Sequence, residues 1–417
     1  MTNSPTYHNS HSSTNTQHTK DWLLPDGVSD VLFDNAQKQE SLRTALLYVL
    51  TSHGFSLVSP PLIEYTETLL KNAPEDLKRQ TFKLTDQLNG RLMGVRADIT
   101  PQILRIDSQH GQGVSRYCYA GQVVKTLPSG LFGLRTPMQL GAEIFGVDEI
   151  SADLYLINLV VTLFDEIGVD TAKLHLDVGH VGVFRRLSEL AGLDDVSVAQ
   201  LMSLYANKDL PALKALCKNL PLGDDFLVVV MHTFDTQKSP NADTLLSKFS
   251  STVRSDDKIV QMVHDIAKLM THGQALGMRV SVDIGELSGY HYHTGLIFNL
   301  YLEHDRQSQA LVSGGRFHGM DKLGSVRPAT GFSMDINRLL DVVVLDDETV
   351  ILVDFDDLRQ ADNAKKIDLY EQIHTLQNEG CVVITPFHTD DKPAYYDGVL
   401  HFDGSINEWA VRLVGDE

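Results

Sequence analysis

Residues 114–146 read VSRYCYAGQVVKTLPSGLFGLRTPMQLGAEIFG. The run is rich in strand formers and is broken once, at Pro128-Ser129-Gly130, a turn signal. It predicts two strands joined by a connection. Side chains two apart on a strand share a face, so Gln139, Gly141 and Glu143 point the same way. Gly141 leaves space between two polar arms for a small ligand. Glu143 can accept a charge-assisted hydrogen bond from an imidazole N–H. An ordinary solvated strand face would carry the same three residues, so the run settles strands before it settles chemistry.

Upstream, Arg96-Ala97-Asp98-Ile99-Thr100-Pro101 sets a carboxylate and a hydroxyl two residues apart. In an extended segment they share a face and can hold an ammonium group. The structural alternative is a helix start, with Thr100 as N-cap and Pro101 at the first helical position. Asn35 to Gly54 predicts a helix, because Leu42, Ala45, Leu46, Val49 and Leu50 follow a core-facing stripe and Gly54 suits a C-terminal cap. Phe55 to Val58 follows as a short strand stopped by Pro60-Pro61.

Downstream, Ala152 to Ile167 is an apolar helix. Leu174, Leu176 and Val178 alternate with His175 and Asp177, as in a half-buried strand. Residues 190–275 are helix-like throughout, with Asp209-Leu210-Pro211 as one helix start. Strands return over Arg279 to Glu303 and again over Ala329 to Leu340, where a strand runs into a helix. Past Leu340, Val350 to Val353, Cys381 to Ile384 and Val399 to Phe402 predict strands. A helix over Ala361 to Gln377 has Ile367, Tyr370, Ile373 and Leu376 on one side, which makes a small βαβ-type module.

Three further clusters lie in this second half. Ser288-Gly289-Tyr290-His291-Tyr292-His293-Thr294-Gly295 offers two histidines at i and i+2, but no third metal ligand at a familiar spacing. Its aromatics beside two glycines suit a pocket wall, or else a core strand with a tight turn. Ser313-Gly314-Gly315-Arg316-Phe317 suits a bend in a strand. Arg338, at the end of Gly331 to Arg338, can meet a phosphate or carboxylate, or sit on a helix surface.

Acidic residues outnumber basic ones 55 to 35, for a net charge of -20 over 417 residues. Such a field repels polyphosphate chains, and no basic stripe of the kind nucleic-acid binders carry is present. The three cysteines, Cys118, Cys217 and Cys381, are far apart and form no CxxC, so neither a disulfide framework nor a zinc knuckle is indicated. No apolar run approaches membrane-spanning length, and the N-terminus lacks a signal-peptide pattern. A cytoplasmic location is expected. Residues 1–20, with His8, His11 and His18, have almost nothing apolar to bury and are expected to be a solvated tail.

In order and spacing these clusters resemble the class II aminoacyl-tRNA synthetase core, and within it histidyl-tRNA synthetase. The resemblance runs from about Trp22 to Leu340. Leu24-Pro25-Asp26-Gly27 is similar to the family's N-terminal segment, Arg96 to Thr100 to its RPEGT segment, and Tyr119 to Gly146 to motif 2. Gly289 to Phe298 is similar to the GLDYYTGTVF segment, and Gly331 to Arg338 to motif 3. The resemblance implies an α+β fold: a class II synthetase-like antiparallel sheet with flanking helices (21–189 and 276–340), a helical insertion (190–275) and a small C-terminal α/β module (345–417). It also implies a homodimer through motif 1, near Pro60.

By resemblance, Asp98, Thr100 and Gln139 hold the amino-acid end of histidine and Glu143 the imidazole. Tyr290 and Tyr292 stand in the histidine-specific segment, and His293 and Phe317 replace the family's two imidazole-side tyrosines. The catalytic positions depart further. The family's ATP-phosphate Arg of motif 2 is Lys125, the Arg before GLDYY is Ser288, and the Glu-Arg of motif 3 is Asn337-Arg338. Lys is a point charge without the planar fork of Arg, and loss of one preorganised donor to developing charge costs roughly 10²–10³ in rate. Arg135 and Arg338 remain as candidate anion-binding groups. A site that keeps ligand contacts and loses transition-state contacts binds without catalysing.

That pattern, and the Gly289 to Gly295 run above all, is similar to a paralogous family, the regulatory subunits of ATP phosphoribosyltransferase. The resemblance implies no cofactor and no tRNA. It implies a partner, the short-form ATP phosphoribosyltransferase catalytic subunit, activated within a hetero-oligomer that histidine inhibits by feedback. The alternative is a divergent synthetase that still forms histidyl-adenylate.

Overall fold

Eight segments pair into one large sheet: β1 (Ser56–Leu57), β2 (Ser115–Gln122), β3 (Met138–Phe145), β4 (Leu174–His180), β5 (Arg279–Val282), β6 (His293–Leu302), β7 (Val312–Met320) and β8 (Val326–Asp335). Their order across the sheet is β1-β2-β3-β8-β7-β6-β4-β5. The six central strands are antiparallel neighbours, and each outer strand pairs in parallel with its inner neighbour, β1 with β2 and β5 with β4. The computed structural model describes residues 23–71, 73–128, 133–234, 241–285, 287, 292–302, 310–343 and 348–415. The tail at 1–20, the turn at Ser129-Gly130 and the candidate residues Ser288 and Tyr290 lie outside them.

The period-2 pattern of residues 139–145 decides which face of β3 is core. Leu140, Ala142 and Ile144 pack into one continuous core with Leu42, Leu46 and Leu50 of helix Phe33–Ser52 and with Leu156, Val160 and Leu163 of helix Ser151–Glu166. Each such fully buried Leu contributes roughly 1.5–3 kcal/mol. The first of these helices ends before Gly54, whose φ of 81° is the left-handed conformation a C-terminal cap uses. The opposite face of β3 carries Gln139, Gly141 and Glu143, and the candidate site is built there.

Among the described residues of 195–275 there are six helices, from Asp195–Ala206 to Asp257–Ala275. Side-chain caps start most of them: Asp194, Asp209, Asn241, Ser250 and Asp256 each accept from a backbone N–H of the first turn. Their apolar faces, including Leu201, Leu213, Phe226 and Val263, join the same core as the sheet. A three-stranded sheet of Ile63–Tyr65, Leu92–Val95 and Phe82–Thr85 was not anticipated. Its signal was Asn89-Gly90, with Gly90 at φ 75°, in the turn between two strands.

The chain divides into two compact units, Met1–Val343 and Val344–Glu417. The second holds a four-stranded sheet in the order Val382–Ile384, Val350–Val353, Gly398–Asp403, Glu408–Leu413, the first three parallel and the last antiparallel. The last strand is additional to the expected βαβ pattern. Its Trp409 is buried and donates from Nε1 to the Lys365 carbonyl at 2.8 Å. The expected stripe on helix Asn363–Asn378 needs correction. Leu369, Ile373 and Leu376 face the core, whereas Ile367 and Tyr370 are 61% and 63% exposed. The apolar residues of this helix make two overlapping stripes, and packing on the sheet selects one.

Candidate functional site

Four residues singled out in the sequence meet in one hydrogen-bonded chain. Gln139 projects from β3 and donates from Nε2 to Asp98 Oδ1 at 2.8 Å, while its Oε1 accepts from the Ile99 N–H at 2.9 Å. Asp98 Oδ1 also accepts from the Thr100 N–H at 3.1 Å, so the carboxylate closes the start of helix Thr100–His110 from two residues upstream. Thr100 Oγ1 lies 3.3 Å from Asp98 Oδ1 and 3.1 Å from Glu143 Oε1. One hydroxyl proton serves only one of these carboxylates at a time. The expected helix start is present with Pro101 in its first turn, but the N-cap position is Ile99 and not Thr100, which is already helical. Asp98 and Thr100 meet through the Thr100 N–H to Asp98 Oδ1 bond and not through an extended backbone.

A fifth member was missed. Tyr119 of β2 is fully buried and donates to Glu143 Oε1 at 3.2 Å, with Thr100 Oγ1 3.3 Å from its hydroxyl. It pairs with Gly141 across the β2–β3 ladder. A Cβ on residue 141 would come within 2.4 Å of the Tyr119 hydroxyl oxygen. Glycine is thus required at 141 by the tyrosine, and the cross-strand position was the signal that could have found it. Gly331 of β8 faces Glu143, and a Cβ there would sit 1.6 Å from Glu143 Oε2.

Glu143 is buried, and its two oxygens are not equivalent. Oε1 is served by Thr100 and Tyr119, whereas Oε2 is buried with no hydrogen-bond partner. Burial first, and the Asp98 carboxylate second, raise its pKa to about 8, against the opposing pull of Thr100 and Tyr119. The unserved oxygen and the raised pKa mark a place for a donor that the described residues do not supply.

The aromatic wall stands beside this group. Tyr292 stacks on Phe317, with centroids 5.2 Å apart and planes at 23°, and Phe317 meets Phe145 edge-on at 5.8 Å. Phe317 and Tyr119 share one apolar cluster with Ile99 and Phe145, against which Tyr292 packs. The Tyr292 hydroxyl is buried without a partner of good geometry. Burial, then the Glu143 and Asp98 carboxylates, push it well above the usual tyrosine range. His293 sits edge-on to Tyr292 at 5.2 Å, and its Nδ1 is 3.2 Å from the Arg316 carbonyl oxygen. Burial lowers its pKa and favours neutral imidazole.

Arg316 itself turns to the other side. It holds buried Asp153 through Nε at 2.8 Å and Nη2 at 2.5 Å, and Thr330 Oγ1 donates to the other oxygen of Asp153 at 2.9 Å.

The two candidate anion-binding arginines are not brought together. Arg338 and Lys125 line a cleft of about 520 Å3 whose walls also include Asp98, Gln139, Asp335 and Asn337. Burial raises Asp335 to about 6. Arg338 donates to the Ala310 carbonyl. Arg135 is not among the walls. Its Nε donates to the Lys125 carbonyl at 3.0 Å and its Nη1 to the Asp26 carbonyl at 3.1 Å, pinning residues 26–27 instead. Asn337 accepts from the Met138 N–H at 2.8 Å and so anchors the start of β3. Among the described residues no group of three metal-ligating side chains forms, and no helix is long and apolar enough to cross a membrane.

Residues 27–339 match a protein family described as histidyl-tRNA synthetase. The chain is 49% identical to the ATP phosphoribosyltransferase regulatory subunit of Psychrobacter arcticus, over 94% of this chain and 100% of that protein. It is 37% identical to the protein of that name from Acinetobacter baumannii strain AYE, over 89% and 92%. Among solved structures, a Bacillus halodurans protein titled ATP phosphoribosyltransferase regulatory subunit/histidyl-tRNA synthetase superposes with a TM-score of 0.73 at 21% identity, covering 91% of this chain and 98% of that one. Histidyl-tRNA synthetase from Nostoc superposes with a TM-score of 0.70 at 15% identity, covering 94% and 97%. Those two superpositions establish the fold, and the curated relatives place the chain within it: it belongs to the histidyl-tRNA synthetase-like family of ATP phosphoribosyltransferase regulatory subunits.

Proposed function

We propose that this chain is a non-catalytic subunit that activates a short-form ATP phosphoribosyltransferase catalytic subunit and carries its feedback inhibition by histidine. The observation that supports histidine as effector is the unserved Oε2 of buried Glu143, next to a stacked aromatic pair and to Asp98. The imidazole N–H donates to Oε2, and Tyr292, Phe317 and His293 enclose the ring. The α-ammonium group lies against Asp98, Thr100 and Gln139. Tyr290 is assigned to the same ligand by its place in the histidine-specific segment of the sequence. Because Tyr292 fills space beside Glu143, its wall moves when histidine enters, and that movement is the step we assign to signalling.

The subunit works in the cytoplasm as a homodimer within a hetero-oligomer and needs neither tRNA nor a cofactor. In organisation, residues 21–189 and 276–340 form the synthetase-like core, 190–275 the helical insertion and 345–417 the C-terminal module. Calorimetric titration of histidine, with glutamine as control, tests the site. Saturable, selective binding by the wild type and its weakening by roughly tenfold or more in Glu143→Gln is expected, and selective binding unchanged in the variant refutes the site.

One observation favours a second reading, residual adenylate formation: Lys125 and Arg338 line the cleft that Asp98 and Gln139 also line. Histidine-dependent ATP–pyrophosphate exchange by the purified chain would establish that reading and overturn the non-catalytic one. Lys125 in place of a forked guanidinium argues against exchange.

A further inference from the structure

A second cleft of the first unit, about 770 Å3, touches the hydrogen-bonded cluster and its aromatic wall only at Tyr292. Its walls bring together Lys71, Arg105 from helix Thr100–His110, His318 from β7, and Lys322 from the turn between β7 and β8. Lys71 and Lys322 are exposed and make no ion pair among the described residues. Arg105 gives Nη2 to Glu64 at 2.7 Å, but its Nε is buried without a partner. Of the two carboxylates in the cleft, one is ion-paired and the other is held by backbone N–H groups and keeps its charge. Glu67 pairs with Arg91, and Asp321 accepts from the Leu323 and Ser325 N–H groups at 2.8 Å. With three cations against two carboxylates among its walls, the cleft carries a small local excess of positive charge on a chain whose net charge is -20.

We propose that this cleft is a second binding site, for a small organic anion carrying a phosphate or diphosphate group, and that Tyr292 couples it to the amino-acid site. Three cationic side chains around one cavity suit a multiply charged oxyanion. Arg105, tied to Glu64 through Nη2, still has a buried Nε–H without a partner, and the two lysines supply point charge. Tyr292 has one environment on the Phe317 and Glu143 side and another in the cleft. A ligand that fixes the ring from one side changes the energy of binding on the other, and the effect is reciprocal. The coupling rests on the histidine reading above; the anion site does not.

The test is calorimetric titration of inorganic pyrophosphate into the full chain at low salt, without and with saturating histidine, alongside the double variant Lys71→Ala, Lys322→Ala. Both lysines are exposed, so the variant is expected to fold. Saturable binding that weakens with salt, and falls roughly tenfold or more in the variant through loss of two charge-assisted contacts, is expected. Absence of saturable binding, or equal binding in the variant, overturns the site. Lysine-dependent binding by a chain that does not bind histidine supports the cleft and refutes the histidine reading. Lysine-dependent binding that histidine leaves unchanged, while histidine itself binds, refutes the coupling through Tyr292.

Discussion

Glu143 holds a carboxylate where water does not reach, with one oxygen hydrogen-bonded and the other unserved. In the proposed complex the imidazole N–H reaches that oxygen. Above about pH 8, where Glu143 is ionised, a hydrogen bond to that charged group is worth roughly 1.5–3 kcal/mol, so Glu143→Gln is expected there to weaken histidine binding about 10- to 100-fold, measured calorimetrically. The same residue gives a pH signature. Its folded pKa of about 8 lies above the ordinary 4.5. The folded state thus binds the proton more tightly than the unfolded state. The associated stabilisation is complete below about 4.5 and is lost as pH rises through about 8. Thermal unfolding of wild type and Glu143→Gln across that range should show the variant gaining on the wild type as pH rises; parallel profiles contradict the buried carboxylate. Gly331→Ala sets a Cβ against Glu143 Oε2, and such overpacking costs roughly 1–3 kcal/mol and should abolish histidine binding. Unchanged binding in this variant would place the ligand elsewhere. At this scale Gln139 and Glu143 were legible because a two-residue spacing on a strand sets a shared face, whereas Asp98 and Thr100 come together at a helix start and not on an extended segment. Tyr119 was not legible, because its role depends on the cross-strand partner Gly141, and pairing is not written in local spacing.

The strands and helices that hold these residues are locked to one another by buried ion pairs. Asp153 on helix Ser151–Glu166 and Arg316 on β7 form one, with side-chain exposures of 0% and 12%. Arg327 on β8 and Asp107 on helix Thr100–His110 form another, at 2.7 Å. Removing one partner leaves an uncompensated buried charge at a cost of about 3–5 kcal/mol. Arg316→Met is therefore expected to lower the urea unfolding free energy by that amount. It should also disturb His293, whose Nδ1 lies against the Arg316 carbonyl. A loss below about 1 kcal/mol would show that the pair is not under strain from burial. The long helices and central strands were legible from their periods, because one face of each meets a continuous core. Strand Glu408–Leu413 and the buried stripe of helix Asn363–Asn378 were not. Ile367 and Tyr370 satisfy a helical period as well as Leu369 and Ile373 do, and only the neighbouring sheet discriminates between them.

At the scale of the whole molecule, a synthetase-like frame brings Asp98, Thr100, Gln139 and Glu143 together, and the resemblance in sequence assigns Lys125 and Ser288 to positions where the synthetase family carries arginine. The fold alone does not decide between enzyme and regulator, since one frame serves several functions. The curated relatives, which carry the name of a regulatory subunit, support the regulator. Feedback requires that histidine favour one of two states of the assembly, with a coupling typically of about 1–3 kcal/mol, or roughly 5- to 150-fold. The most direct measurement is steady-state turnover of the short-form catalytic subunit, alone and with this chain, titrated with histidine, for wild type and Glu143→Gln. Turnover is expected to rise when the wild-type chain is added and to fall as histidine is added. With Glu143→Gln it is expected to rise equally and to stay high at histidine concentrations that inhibit the wild type. Turnover indifferent to the chain, or inhibition identical in the variant, would contradict the assignment of a histidine-sensing regulatory subunit.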